Sequence, residues 1–246
     1  APQCAARRCS CERRAGPPQA SSHRSAQHEG APVSAAPGRP QASSHRIAQH
    51  EGAPARLWLV RHAQPLVAPG VCYGAWDVPA DAHATALVAH AVAAVLPHGL
   101  RVAYSPLRRC EQLAQCLRGL RPDLTYESEA RLAEMDFGTW EGQRWDALDP
   151  AVLQAWTDDF AHWRCGGGES VTGFMQRVAA VWDGACRAQS EQVWLTHAGV
   201  IRAARLLARG QRTVQHAHQW PAEASAWGQW ARLALLRPGP DSLPGL

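Results

Sequence analysis

Two short apolar runs that each stop abruptly at a histidine constrain this chain more than any other feature. Leu57-Trp58-Leu59-Val60 is followed at once by Arg61-His62, and Val193-Trp194-Leu195-Thr196, in a strand predicted over residues 192–196, by His197. Such β-favouring runs read as buried strands, and Pro65 cannot extend a ladder beyond the first. In open α/β sheets the carboxyl ends of the strands are where ligands bind. Arg61 next to His62 suits an anionic substrate. The guanidinium holds the charge while the imidazole, titrating near neutrality, can serve as base or nucleophile.

Between and beyond these runs, helical and extended patterns alternate. Residues 65–79 form a loop punctuated by glycine and proline, whose Tyr73 and Trp76 offer a wall for a substrate. Residues 80–96 are predicted to be a helix with an apolar stripe of Leu87, Val88, Ala91, Val92 and Val95, ended by Pro97-His98-Gly99. Residues 100–104 read as the second strand. Ser105 suits the N-cap of the next helix and Pro106 its first position. An arginine in that first turn lies beside backbone donors and the positive helix end, a natural place for phosphate. Arg108 and Arg109 point about a third of a turn apart, so one of them faces the site.

Residues 125–127 suggest a short strand leading to Leu132-Ala133-Glu134-Met135-Asp136-Phe137-Gly138-Thr139-Trp140-Glu141-Gly142. A carboxylate among glycine and aromatic residues is expected to have its pKa raised towards that of a general acid. Residues 149–163 are predicted helical, with Trp156, Phe160 and Trp163 as packing residues. Gly166-Gly167-Gly168-Glu169-Ser170 has neither a Walker lysine pattern nor a Rossmann fingerprint, so it is weak as a phosphate loop. A helix follows over residues 171–188 with Phe174, Val178, Val181 and Trp182 on one stripe. Another helix runs through Leu206 and Leu207, and residues 231–236 form the last strand.

Residues 1–55 consist mainly of Ala, Pro, Gly, Ser, Arg, Gln and His, too few of them apolar to offset the entropy of ordering, so a disordered extension is expected. Within it residues 18–32 return almost unchanged as residues 40–54, differing only at Ser25 and Ile47. His23, His28, His45 and His50 lack any scaffold that would fix coordination geometry, so no metal is expected there. The net charge of +4 leaves no footprint of a nucleic-acid-binding domain. Eight scattered cysteines show no zinc spacing and read as reduced thiols, which suggests a cytoplasmic protein. No apolar run reaches membrane-spanning length, and no hydrophobic region follows the amino-terminal arginines, so neither anchor nor signal peptide is expected.

Taken together, two strands ending in histidine, an arginine after Ser105-Pro106-Leu107, and Glu134 ahead of Phe137-Gly138-x-Trp140-Glu141-Gly142 resemble the histidine phosphatase superfamily, phosphoglycerate-mutase-like branch, over roughly residues 57–236. The resemblance implies a three-layer α/β/α fold with a mainly parallel sheet, in a domain spanning residues 56–237 followed by a flexible tail, 238–246. It also implies that Arg61 and Arg109 clamp a phosphate, that His62 becomes phosphorylated, that Glu134 is the acid/base and that His197 is the second pocket histidine. Gln64, Tyr73 and Ala198 are candidates for substrate contact. No cofactor is implied, and the partner is a small phosphorylated substrate.

Cys72-Tyr73-Gly74, Asp77-Val78-Pro79, Gly167-Gly168-Glu169-Ser170 and residues 195–202 look most like the α-ribazole phosphatases. Those enzymes dephosphorylate α-ribazole 5′-phosphate or the phosphorylated cobalamin in cobalamin biosynthesis. Two alternatives stand beside that: a phosphatase or mutase of the same fold acting on phosphoglycerate, sugar phosphates or phosphohistidine proteins, and a weakly catalytic phosphate-binding regulator. The chain departs from the family pattern at Ala63, usually glycine, at Gln64-Pro65, usually Glu-Thr or Gln-Thr, and in lacking a nearby asparagine. A methyl group at 63 is expected to crowd the phosphate or to forbid a left-handed backbone.

Overall fold

A computed structural model describes residues 54–223 and 225–237. The repeat, apart from its last residue Pro54, and the segment from 238 onward lie outside the described residues. In chain order the elements are β1 (Arg56–Arg61), α1 (Ala82–Val95), β2 (Arg101–Tyr104), α2 (Arg108–Leu120), β3 (Thr125–Ser128), α3 (Pro150–Asp158), α4 (Val171–Ala188), β4 (Gln192–Thr196), α5 (Ala198–Leu207) and β5 (Trp230–Ala234), with short 3₁₀ turns between them. The five strands form one sheet in the order β3-β2-β4-β1-β5. β2 pairs in parallel with both β3 and β4, β4 in parallel with β1, and only β5 runs antiparallel. The folded part reaches back to Ala55, whose carbonyl accepts the Leu235 N–H at 2.7 Å.

Alternation along the strands builds the three layers. Trp58 and Val60 of β1, with Val102, Val193 and Leu195, pack against Ala89 and Val92 of α1 and Leu113, Ala114 and Leu117 of α2. Leu57 and Leu59, with Ala103 and Trp194, pack against Phe174, Val178 and Trp182 of α4 and Val200, Ala203 and Ala204 of α5. Strands buried on both faces read as continuous apolar runs, which is why 57–60 and 193–195 carry no polar residue. Each large side chain buried this way contributes roughly 1.5–3 kcal/mol.

Three expectations are corrected. In α1 the face turned to the sheet carries Thr85, Ala89 and Val92, whereas Leu87 is 58% exposed and Val95 is also on the surface. In so alanine-rich a helix the small residues allow the close approach, and the larger apolar ones do not mark the inner face. The cap residue of α2 is Leu107, not Ser105; its own side chain makes no bond, and Asp77 Oδ1 accepts the Arg108 N–H at 2.6 Å. α3 ends at Asp158, because Asp159 leaves helical geometry. Phe160 stays buried and Trp156 stacks on it, but Trp163 lies on the surface.

Candidate active site

The register of β1 against β4 puts the two histidines side by side. Arg61 lies opposite Thr196, so His62 and His197 are the next residue on each of two adjacent parallel strands. Their ring centroids are 5.1 Å apart and both side chains are buried. The backbone of His62 is held on both sides: its N–H donates to Thr196 O at 3.1 Å and its carbonyl accepts from Gly228 N at 3.0 Å.

His62 Nδ1 lies 2.6 Å from Ala63 O. A carbonyl can only accept, so Nδ1 carries the proton and Nε2 keeps the lone pair. Burial holds the imidazole well below its ordinary pKa of 6.5, helped by the positive charges of Arg109 and Arg61 against the opposing bond to Ala63. Ala63 itself is buried, and its backbone is not left-handed; among the described residues only Gln189 combines a side chain with positive φ. The expected backbone conflict at 63 therefore does not arise.

The ring of His197 has protein partners at both nitrogens. Arg109 Nε donates to Nδ1 at 3.2 Å, so Nε2 bears the proton and points to Ser105 Oγ at 2.7 Å. Burial is again the main cause of a lowered pKa, with Arg109 next. Cys110 Sγ lies 3.5 Å from Nε2, but burial pushes that thiol up to about 12 and keeps it neutral.

Two histidines held neutral predict an acid-labile protein. Their folded pKa lies below the unfolded 6.5, so their contribution is fully present above that value and is lost as the pH falls towards the folded pKa. The melting temperature is expected to hold from pH 8 to about 7 and to fall progressively below about 6.5. Calorimetry at half-unit intervals checks this, and a melting temperature flat down to pH 5 would contradict two buried neutral imidazoles.

Arg109, in the first turn of α2, is 0% exposed, whereas Arg108 is on the surface. Its Nη1 donates to Trp76 O at 2.9 Å and its Nη2 to Gly74 O at 2.5 Å, while Tyr73 lies against it with the ring centroid 5.5 Å from Cζ. Three of five donors are thus used, leaving two. Arg61 donates from Nη1 to Ser225 O at 2.5 Å and lies 5.6 Å from the Trp227 ring centroid. Its Nε is buried with no hydrogen-bond partner among the described residues, a donor that an anion would satisfy.

Glu134 follows a 3₁₀ turn and lies at the start of α5, where its Oε2 accepts from Gly199 N at 3.0 Å and its Oε1 from Met135 N at 3.1 Å. A Cβ at 199 would lie 2.2 Å from Glu134 Oε1, so any side chain there would displace the carboxylate from its place against α5. Tyr73 is half-buried against Arg109, Ala198 is the buried first residue of α5, and Gln64 is exposed, with its carbonyl accepting from Asp81 N at 2.8 Å. Of the eight expected site residues, His62, His197, Arg61, Arg109 and Tyr73 come together directly, and Glu134 joins them across the His197–Gly199 turn.

Sequence reasoning missed three contributors. Ser105 was assigned to a helix cap, yet it holds His197. Glu141 accepts the N–H groups of Ala75 at 2.9 Å and Phe137 at 2.8 Å, and that of Trp76. It thereby fixes the loop whose carbonyls hold Arg109. Trp227 gave no signal, since one tryptophan before a strand is unremarkable until Arg61 is found beside it.

Comparison with known proteins identifies the family and the fold. The sequence model of the histidine phosphatase superfamily, branch 1, matches residues 57–231. A search of curated proteins finds no match. Among solved structures, a mycobacterial glucosyl-3-phosphoglycerate phosphatase is 24% identical with a TM-score of 0.60, covering 72% of this chain and 89% of its own. A candidate α-ribazole-5′-P phosphatase from Escherichia coli is 24% identical with a TM-score of 0.62, covering 73% and 89%. A Thermus thermophilus protein is 28% identical with a TM-score of 0.54, covering 72% and 92%.

Proposed function

The chain belongs to the histidine phosphatase superfamily, and on that premise we propose that it hydrolyses α-ribazole 5′-phosphate, or the phosphorylated cobalamin, through a phosphohistidine on His62. One observation carries the mechanism: the bond from His62 Nδ1 to Ala63 O leaves the Nε2 lone pair available on a ring that burial and two cations keep neutral. The phosphate is held by the free donors of Arg61 and Arg109, charge-assisted contacts that stabilise the developing charge. His62 Nε2 attacks phosphorus in line, and Glu134 gives its proton to the leaving oxygen. Glu134 then takes a proton from the water that hydrolyses the phosphohistidine. His197, bonded to Arg109 Nε, sets the orientation of that guanidinium beside the transferring group.

The substrate assignment is supported by the motifs shared with α-ribazole phosphatases and by the aromatic rings at the site. Tyr73 packs on Arg109 and the 46% exposed Trp227 on Arg61, offering flat apolar surface next to the phosphate clamp. A benzimidazole nucleoside matches such rings better than a small hydrophilic acid does.

The test is kcat/KM on α-ribazole 5′-phosphate, 3-phosphoglycerate, fructose bisphosphates and p-nitrophenyl phosphate. The first is expected to lead. Preference for 3-phosphoglycerate would overturn the substrate, and vanadate binding without turnover of any ester would overturn the activity. Glu134→Gln is expected to lower kcat/KM by about 10²–10³-fold on alkyl phosphates and by less than about tenfold on p-nitrophenyl phosphate, whose leaving group needs little protonation. Equal losses on both would remove Glu134 as the acid.

A further inference from the structure

The Gly166–Ser170 motif has a structural place of its own beside the acid/base segment. Its backbone is pressed against the segment that follows Glu134. A Cβ on Gly166 would lie 2.3 Å from Phe137 O, one on Gly168 2.5 Å from Asp136 O, and one on Gly138 2.2 Å from Gly166 O. At this spacing two main chains meet with no room for side chains, which is the use of glycine at a close approach. The contact is bonded as well as packed, since Glu169 N–H donates to Asp136 O at 2.8 Å.

Glu169 reaches from this motif to Arg177 on α4 in a two-point ion pair: Arg177 Nε donates to Oε1 at 2.8 Å and Nη2 to Oε2 at 2.9 Å. The remaining guanidinium donors all go to the chain that carries Glu134. Nη1 donates to Arg131 O at 2.8 Å and Ala133 O at 2.7 Å, and Nη2 to Glu134 O at 3.0 Å. All five N–H groups of Arg177 are therefore used, three of them on carbonyls of the short segment from Arg131 to Glu134. The side chains of this pair are only about one-fifth exposed, at 22% and 19%. The guanidinium also lies over Phe174, 4.6 Å from the ring centroid, and Phe174 borders Gly199, the residue whose N–H the Glu134 carboxylate accepts.

We propose that Glu169 and Arg177 are positioning residues for Glu134: the ion pair grips the backbone on both sides of the acid/base and sets where its carboxylate stands against α5. A loop carbonyl segment without ladder partners has many conformations of similar energy, and a fork that fills three carbonyls at once selects one of them. Proton transfer to a leaving oxygen tolerates little displacement, so a shift of about 1 Å at the carboxylate costs up to about a hundredfold. The role rests on the reading of Glu134 as acid/base.

The experiment compares wild type, Glu169→Gln and Arg177→Lys on an alkyl phosphate and on p-nitrophenyl phosphate. It uses kcat/KM, which ends at phosphoryl transfer and does not sense hydrolysis of the phosphohistidine. Both variants are expected to lose about ten- to a hundredfold on the alkyl ester and less than about threefold on the aryl ester. Amide hydrogen exchange at Met135 and Gly199, which needs no turnover, is expected to accelerate about tenfold relative to the amides of β1 and β4. Equal losses on both esters, unchanged exchange at those two amides, or an Arg177→Lys enzyme as active as wild type would each overturn the proposal. A wild type that hydrolyses neither ester would instead overturn the phosphatase reading, and the exchange data would still decide this one.

Discussion

Replacing His62 by alanine is expected to lower kcat/KM on p-nitrophenyl phosphate by about four to six orders of magnitude while leaving the fold intact. Of the two pocket histidines, His62 is the one whose lone pair is left available: its Nδ1 is committed to Ala63 O, whereas both nitrogens of His197 have protein partners. No neighbour can replace it. Cys110 is held neutral by burial and lies against His197, and Ser105 is bonded to the same ring. The loss is read from initial rates with protein made in a phosphatase-deficient host. A second readout is label transferred from a radioactive phosphate ester, which should survive alkaline but not acid quenching in the wild type and be missing from the variant. Activity within a hundredfold of wild type, or undiminished labelling, would remove His62 as nucleophile.

Arg109→Met is the second large effect, with an expected loss in kcat/KM of about 10³–10⁵-fold, the scale seen when a guanidinium that stabilises a transferring phosphoryl group is removed. The variant also unsettles the fold, because Gly74 O and Trp76 O lose their donor and His197 Nδ1 loses its partner. Each buried carbonyl left without a donor costs about 1–3 kcal/mol. Because Arg109 is the second cause, after burial, of the lowered pKa of both histidines, its removal raises both. The stability lost on the acid limb should then be smaller and the limb should level off at a higher pH, since less protonation is gained on unfolding. A thermal melt at pH 7.5 and at pH 5.5, alongside the kinetics, separates the two contributions. Loss of activity below tenfold would mean that Arg61 alone clamps the phosphate.

The strands and the long helices were legible where the apolar pattern had no competitor. β4 and α4 have the predicted bounds, because Val193 to Thr196 and the Phe174, Val178, Trp182 stripe each allow one burial pattern. α1 was misjudged on its inner face, since a helix that is half alanine has little contrast between its sides. Its exposed Leu87 and half-buried Val88 instead line a surface cavity with Trp227 and Trp230. Ser105 was misassigned for a related reason: Ser-Pro before a helix is a good cap by local chemistry, and only a partner 92 positions away shows that the hydroxyl is bonded to His197 instead.

What the sequence determined by itself was the kind of chemistry and the kind of fold. An apolar strand that ends in Arg-His, a second that ends in His and an arginine at a helix start restrict the chain to an α/β sheet with an anion site at its carboxyl end, because burial and ligand binding both follow from local pattern. Tertiary structure alone decided which atoms do the work. The parallel register of β1 on β4 brings His62 to 5.1 Å from His197, the Ala63 carbonyl selects the tautomer, and Glu141, Ser105 and Arg177 hold the reacting groups from distant points of the chain. Apart from the bond between the neighbours His62 and Ala63, the hydrogen bonds that do this join residues far apart in sequence. Their partners are set by how the layers pack, and no periodicity in the chain encodes that.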